Sequence, residues 1–158
     1  IYEIQMKSER LVNIKGSKTV DHFHRELGLL VWDKCGMARD KKGLEYAIKR
    51  IPEIRNEFWE NVAVPGDAFG YNQSLEKAVR VADFLEFGEL MCRDALQRNE
   101  SCGGHFRTEY QTKEGEALRD DENYCNAFAW EHNGDKKPKL NIEDLTFNDV
   151  PLSQRSYK

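Results

Sequence analysis

The side chains best equipped for chemistry gather where Cys102 and His105 flank the pair Gly103-Gly104 and Arg107 follows. A histidine beside a thiol lowers its pKa and can act as its base, so Cys102 with His105 has the residue types of a nucleophilic pair. No carboxylate stands at a spacing that fixes an orienting partner for that histidine. Adding Cys92 gives three zinc-ligand types near the end of one long helix. No fourth ligand is near in sequence, and the spacing matches no zinc knuckle. His22 and His24 stand on different faces of a helix, whereas helical ligand pairs want a spacing of about three or four. Gly103-Gly104 follows a helix, but a phosphate cradle needs its glycines ahead of a helix N-terminus. The pattern G-x-G-x-x-G is absent from the sequence. Arg119-Asp120-Asp121-Glu122 reads as an internally paired surface loop whose acids could also meet Arg or Lys of a neighbouring domain. By residue type alone, this is a helical module without a catalytic or metal site of its own.

The element that must position Cys102 and His105 is the stretch before them. Residues 72–99 contain no proline and one interior glycine, Gly88. As a helix they would span roughly 42 Å. Asn72 or Ser74 can cap its start. Leu75, Ala78, Val79, Ala82 and Leu85 make one apolar stripe, and Phe84, Gly88, Met91, Cys92, Ala95 and Leu96 widen it. That pattern predicts the central helix of a bundle, covered on more than one side.

Two partner helices precede it. One runs from Ser17 or Thr19 to Cys35 with Val20, Phe23, Leu27, Leu30 and Val31 on its apolar face, and Gly36 suits a left-handed cap. Gly28 inside it costs stability unless a backbone packs closely there. The other starts at the N-cap Asp40 and runs to about Asn61, with Leu44, Ala47, Ile48, Ile51, Ile54 and Phe58 at three-four spacing. Pro52 inside it predicts a kink. Residues 1–16 are weakly patterned, with Ile4, Leu11 and Val12 as anchors, and read as a short helix or a linker. Residues 62–71 and 108–122 read as loops. Residues 124–130 alternate as a strand, 133–135 (Asn-Gly-Asp) have turn chemistry, and 140–147 supply a partner strand. The tail 150–158 reads as tied to another surface. The organisation expected is a connecting segment, 1–16; a three-helix bundle with its glycine-rich loop, 17–107; and an irregular C-terminal extension with a short β-hairpin, 108–158. The fold class is mainly α.

Composition narrows the function. One domain suits 158 residues. The net charge of −4, with scattered Lys and Arg, gives no electrostatic case for nucleic acid. No apolar run approaches the roughly 18 residues of a membrane span, and no secretory signal opens the chain. The first residue is Ile, which suggests a piece of a larger or processed polypeptide. The four cysteines (35, 92, 102, 125) form no C-x-x-C pair and read as free thiols.

Taken together, several segments resemble one family: Thr19-Val-Asp-His-Phe-His-Arg-Glu-Leu-Gly, Trp32-Asp-Lys-Cys-Gly-Met, Asn99-Glu-Ser-Cys-Gly-Gly-His-Phe-Arg, Arg119-Asp-Asp-Glu-Asn and Gln154-Arg-Ser-Tyr-Lys. The chain resembles the C-terminal helical domain of the flavoprotein subunit of succinate dehydrogenase or fumarate reductase. The most specific stretch is Glu-Ser-x-Gly-x-His-x-Arg, matched by Glu100, Ser101, Gly103, His105 and Arg107. Much of the family has Arg after that Ser and Ala before the His. Cys102 and Gly104 here resemble the branch anchored by a single dihaem cytochrome b subunit.

The resemblance implies a parent enzyme that interconverts succinate and fumarate on FAD and exchanges electrons with quinone through an iron–sulfur subunit. It implies that the flavin attachment, proton-donating and dicarboxylate-binding residues belong to other domains, with no catalytic, cofactor or metal residue here. It implies a spectrin-repeat-like bundle that packs on the FAD domain, borders the iron–sulfur subunit and meets the cytochrome b membrane anchor only indirectly. The place implied is the cytoplasmic side of a bacterial inner membrane, reached through the parent complex, with the fragment itself soluble. Within that picture the glycine pair reverses the chain so that Ser101, His105 and Arg107 face the FAD domain as a docking loop. The competing expectation is an autonomous helical binding module with a Cys/His metal or thiol site.

Overall fold

The computed structural model describes residues 2–134 and 137–153; Asp135 of the expected turn and the terminal motif at 154–158 lie outside the described residues. The element order is α1 (Tyr2–Asn13), β1 (Lys18–Thr19), α2 (Val20–Lys34), α3 (Lys41–Asn61), β2 (Val62–Ala63), α4 (Gln73–Gln97), α5 (Asp121–Tyr124), β3 (Asn126–Glu131) and β4 (Lys139–Asp144). The chain divides into two compact units, Ile1–Gln97 and Arg98–Lys158, and the glycine-rich loop falls in the second. A mainly α fold with a small C-terminal hairpin is what the periodicity predicts, and it is what forms.

Helices α2, α3 and α4 each start where a short polar side chain can satisfy first-turn N–H groups. Thr19 Oγ1 accepts from His22 N at 3.2 Å, Asp40 Oδ1 from Gly43 N at 2.8 Å, and Asn72 Oδ1 from Leu75 N at 3.0 Å. The helix α4 packs against α1, α2 and α3. It buries Leu75, Ala78, Val81, Ala82, Leu85, Gly88, Cys92 and Ala95. The facing stripes are Val20, Phe23 and Leu27 of α2 and Leu44, Ala47, Ile51, Ile54 and Phe58 of α3. Phe23 meets Phe58 edge to face, with centroids 5.3 Å apart. Residues 2–13, open between helix and linker in the sequence, are helical and contribute Leu11 and Val12 to the core.

Four local features differ from expectation or go beyond it. Gly36 is not in the left-handed conformation. Its place is fixed instead by crowding, since a Cβ there would lie 2.3 Å from the Trp32 carbonyl oxygen. The helix α3 runs unbroken through Pro52. A two-stranded parallel pair, Lys18 with Val62 and Thr19 with Ala63, joins the start of α2 to the end of α3. The backbone at Gly16 approaches α3 so closely, donating to Val62 O at 3.1 Å, that a Cβ would lie 2.0 Å from the Asn61 carbonyl carbon.

The second unit is built differently. Strands β3 and β4 pair antiparallel, with Phe128 opposite Ile142 and Trp130 opposite Leu140. Among its described residues none of the apolar side chains is fully buried; the buried ones are Glu100, Ser101 and Arg107.

Two sets of variants test the packing. Ile51→Ala or Leu85→Ala should each cost about 2–5 kcal/mol, and exposed Lys49→Ala no more than about half a kcal/mol. Equal denaturation midpoints would show that the faces are misassigned. Gly28 is exposed inside α2 with nothing within 4 Å of a built Cβ. Gly28→Ala should therefore stabilise by about 0.5–1 kcal/mol. Gly16→Ala should lower the midpoint by about 1–3 kcal/mol, because the backbone of Asn61 has to move.

Candidate functional site

The loop at 98–107 begins directly after α4 and is organised by a charge pair. Arg98 Nη1 donates to Glu100 Oε1 at 2.7 Å and to Tyr124 O at 3.1 Å, and its Nη2 donates to Asn126 O at 2.7 Å. The guanidinium also stacks over Phe128, 4.5 Å from the ring centroid. A planar five-donor fork suits this mixture of carboxylate, carbonyls and ring better than an ammonium could. Glu100 is only 2% exposed. Its second oxygen accepts from Asp120 N at 3.0 Å, so both carboxylate oxygens are satisfied, as burial of a charge requires.

Ser101 closes the loop. Its Oγ accepts from Arg107 N at 2.8 Å and donates to Arg107 O at 3.1 Å. Its own N–H donates to Leu118 O at 2.8 Å. Between these anchors Cys102 and His105 exchange two backbone hydrogen bonds, of 2.8 and 3.0 Å. Gly103 turns the chain at φ 57, a conformation that favours glycine. Gly104 is exposed and has nothing within 4 Å of a built Cβ.

His105 Nε2 lies 3.0 Å from Arg98 O. A carbonyl can only accept, so Nε2 carries the proton. That nitrogen is committed to the loop and is not a base for Cys102. Arg107 is 1% exposed. Its Nε and Nη2 face the two oxygens of Glu109 at 3.2 and 3.4 Å, and Nη1 donates to Arg98 O at 3.4 Å. Ser101, His105 and Arg107 are thus brought together, and these hydrogen bonds serve the shape of the loop. The exposed tip is Cys102, Gly103 and Gly104.

The other candidates are placed as follows. Cys92 is buried in the first unit, whereas Cys102 and His105 belong to the second. Among the described residues no group of three or more His, Cys, Asp or Glu is placed to hold a metal ion. His22 sits 3.5 Å from Glu26, and the His24 ring lies against Phe84. Arg119 pairs with Asp121 at 2.6 Å, and Asp120 accepts from Asn123 N to cap α5. Sequence reasoning missed Arg98, since two of its partners are main-chain carbonyls far along the chain. It also missed buried Glu89, whose carboxylate meets Arg55 at 2.9 Å and Arg93 at 2.5 Å.

The model of the family described as fumarate reductase flavoprotein C-term matches residues 24–157, the whole loop included. The chain belongs to this family. Among curated relatives, the fumarate reductase flavoprotein subunit of Escherichia coli is 25% identical over 154 residues, covering 98% of this chain and 25% of the relative. That of Helicobacter pylori is 27% identical over 155 residues, covering 97% of this chain and 21% of the relative. The chain thus spans about a quarter of the length of such relatives. An Escherichia coli quinol fumarate reductase structure superposes with a TM-score of 0.76 at 22% identity, over 97% of this chain and 25% of that one. At that identity the shared property is the fold.

Ser101→Ala removes the group that both accepts from and donates to the Arg107 backbone. It should cost about 1–3 kcal/mol, because buried polar groups are left without a partner. Cys102→Ser at the exposed tip should stay within about half a kcal/mol. A comparison of thermal midpoints checks both; equal losses would show that the tip, not the Ser101 closure, holds the loop.

Proposed function

We propose that this chain is the non-catalytic C-terminal domain of the FAD-containing flavoprotein subunit of a succinate dehydrogenase or fumarate reductase, an oxidoreductase interconverting succinate and fumarate with quinone as the electron partner. The observation that carries this reading is the family match over residues 24–157. The relatives named above, flavoprotein subunits several times longer than this chain, support it.

The flavin belongs elsewhere in that subunit. A dinucleotide pyrophosphate needs unpaired N–H groups at a glycine-rich helix start. Here the turn ahead of α4, which contains Gly66 and Gly70, is closed by Asn72. Its side chain accepts from Leu75 N and donates to Pro65 O and Asp67 O, both at 2.9 Å. These residues do not fit the group. The partners proposed are the FAD domain of the same polypeptide, the iron–sulfur subunit and, indirectly, the cytochrome b anchor. The complex would lie on the cytoplasmic side of a bacterial inner membrane. Among the described residues, no helix is long and apolar enough to cross a membrane.

The loop serves docking: Ser101, His105 and Arg107 hold a rigid turn whose tip, Cys102 to Gly104, meets the neighbouring domain. Two experiments test this. The chain refolded alone should carry no flavin and no succinate dehydrogenase activity; flavin absorbance that co-purifies with it would overturn the assignment. In the whole enzyme, His105→Ala or Arg107→Ala should lower assembly and thermal stability more than turnover per assembled flavin. Gly104→Glu adds bulk and charge at the tip without a local clash, and should reduce assembly while leaving turnover per assembled flavin intact. Full assembly of Gly104→Glu would remove the docking role.

A further inference from the structure

One face of the first unit is apolar and uncovered. On α4, Phe84, Phe87 and Met91 stand at three-four spacing and form a stripe along the helix. Phe87 is 60% exposed, and Phe84 and Met91 are exposed as well. The His24 ring of α2 lies beside that of Phe84, centroids 5.8 Å apart, so the stripe continues onto α2. One turn after His24, Gly28 is exposed with nothing within 4 Å of a built Cβ, and Trp32 follows, also exposed. The charges beside the stripe are spent within the chain: Asp83 pairs with Lys7, and Arg80 with Glu76. What remains suits an apolar occupant, with a notch at Gly28 where a backbone or a large side chain can come close.

The helix directions show which part of a longer polypeptide reaches this surface. Ile51 of α3 lies 3.9 Å from a Cβ built at Gly88, whereas Phe58, two turns on, meets Phe23, the neighbour of His24. The helix α3 therefore runs back along α4, and Val62 lies toward the start of α4. Gly16 donates to Val62 O at 3.1 Å, while Lys7 reaches Asp83 Oδ1 at 2.6 Å. So α1 is antiparallel to α4, with its last residues near the start of α4. Both helices rise about 6 Å over four residues, which puts Glu3 and Ile4 at the level of Phe87. Ile4 precedes buried Leu11 by seven residues and shares its face of α1, yet it is 70% exposed. Ile4 and Phe87 thus share a level on neighbouring helices, and neither is covered. A chain that enters α1 at Tyr2 arrives beside them.

We infer that Phe84, Phe87 and Met91, with Gly28, are the seat of the polypeptide segment that leads into Tyr2, laid over α4 between α1 and α2. This placement rests on the assignment of the chain as the C-terminal part of a longer flavoprotein subunit. Relatives matched over 98% of this chain are subunits of which it covers 25%, and the family model is a C-terminal one. In such a subunit the segment before Tyr2 is tethered next to the stripe. Its effective concentration there is high, so apolar contact is enough to hold it. Seated so, it covers Ile4 and Phe87 together and closes the open arc of α4. It also gives the first unit a contact of its own with the rest of the subunit, through residues other than those of the loop.

The test uses the complete polypeptide that carries this chain, purified without other subunits, with the photoreactive benzoylphenylalanine in place of Phe87. After irradiation and digestion, mass spectrometry should find position 87 joined, within one chain, to the segment that leads into Tyr2. The same probe in place of exposed Lys49 should not join that segment. Hydroxyl-radical footprinting of the unaltered polypeptide needs no variant. Phe84 and Phe87 should be protected as fully as core Phe58, and all three should react alike in guanidinium chloride. A link from position 87 to a second copy or to any other segment would overturn the inference. So would labelling of Phe87 well above that of Phe58 in the folded polypeptide. Failure of the parent assignment shows separately, as a sequence ahead of Tyr2 that lacks a flavin-binding motif.

Discussion

The first unit depends on one constraint: α4 is apolar over too wide an arc to be covered by a single neighbour. A helix with Leu75, Ala78, Val81, Ala82, Leu85, Cys92 and Ala95 buried has to be enclosed by several partners. Its packing against α1, α2 and α3 follows from that requirement. The small residues on it set how closely the others approach. Gly88 faces Leu27, Val31 and Ile51, and a Cβ there would meet them at 3.4–3.9 Å, ordinary contact distances. The glycine thus opens a shallow seat for three branched side chains, and the helices settle around it.

The second unit answers a different constraint, a shortage of apolar material. Among its described residues the buried ones are a carboxylate, a hydroxyl and a guanidinium, and each is stable there only because its hydrogen-bonding capacity is used. Arg98 links Glu100, the Tyr124 and Asn126 carbonyls and the Phe128 ring in one contact set. Ser101 ties both backbone groups of Arg107. Such networks specify geometry more than they add stability, because removal of one member strands the others. The result is a loop of defined shape with little of the chain spent on an apolar core.

The difference between the units explains how much the sequence revealed. Three-four spacing is a direct imprint of burial on one face of a helix, so α2, α3 and α4 could be placed from residues alone, with Asp40 as the cap of α3, Asn72 one of two candidate caps for α4 and Thr19 one of two candidate starts for α2. The hairpin showed through the alternation around Phe128 and Trp130 and through turn chemistry. The short parallel pair of β1 and β2 left no imprint, since two residues per strand are too few for a period. Gly36 was assigned to the right boundary for the wrong reason: the crowding by Trp32 O depends on where a carbonyl points, which no residue pattern records. The same holds for the site. The grouping of Ser101, His105 and Arg107 was visible as a motif, whereas its supports are the carbonyls of Arg98, Leu118, Tyr124 and Asn126, which any residue could have supplied.

What the second unit leaves exposed bears on its setting. Leu118, Ile142, Leu145, Phe147, Val150 and Leu152 are all more than two-fifths exposed, while the charges around the loop are paired inward. Isolated apolar groups on a surface need no explanation, but six on a unit of this size, with none of its described apolar side chains fully buried, represent unrealised burial. At about 25 cal/mol per Å² of apolar surface, covering them would stabilise the unit more than any single internal hydrogen bond does. A neighbour that covers that surface would supply the apolar contact the unit lacks, while the Arg98 and Ser101 networks keep the shape presented to it. A covered position beside other domains is what the proposed place in a flavoprotein subunit offers. The division of labour is then physical: polar pairing sets the form of the unit, and association would supply its apolar burial.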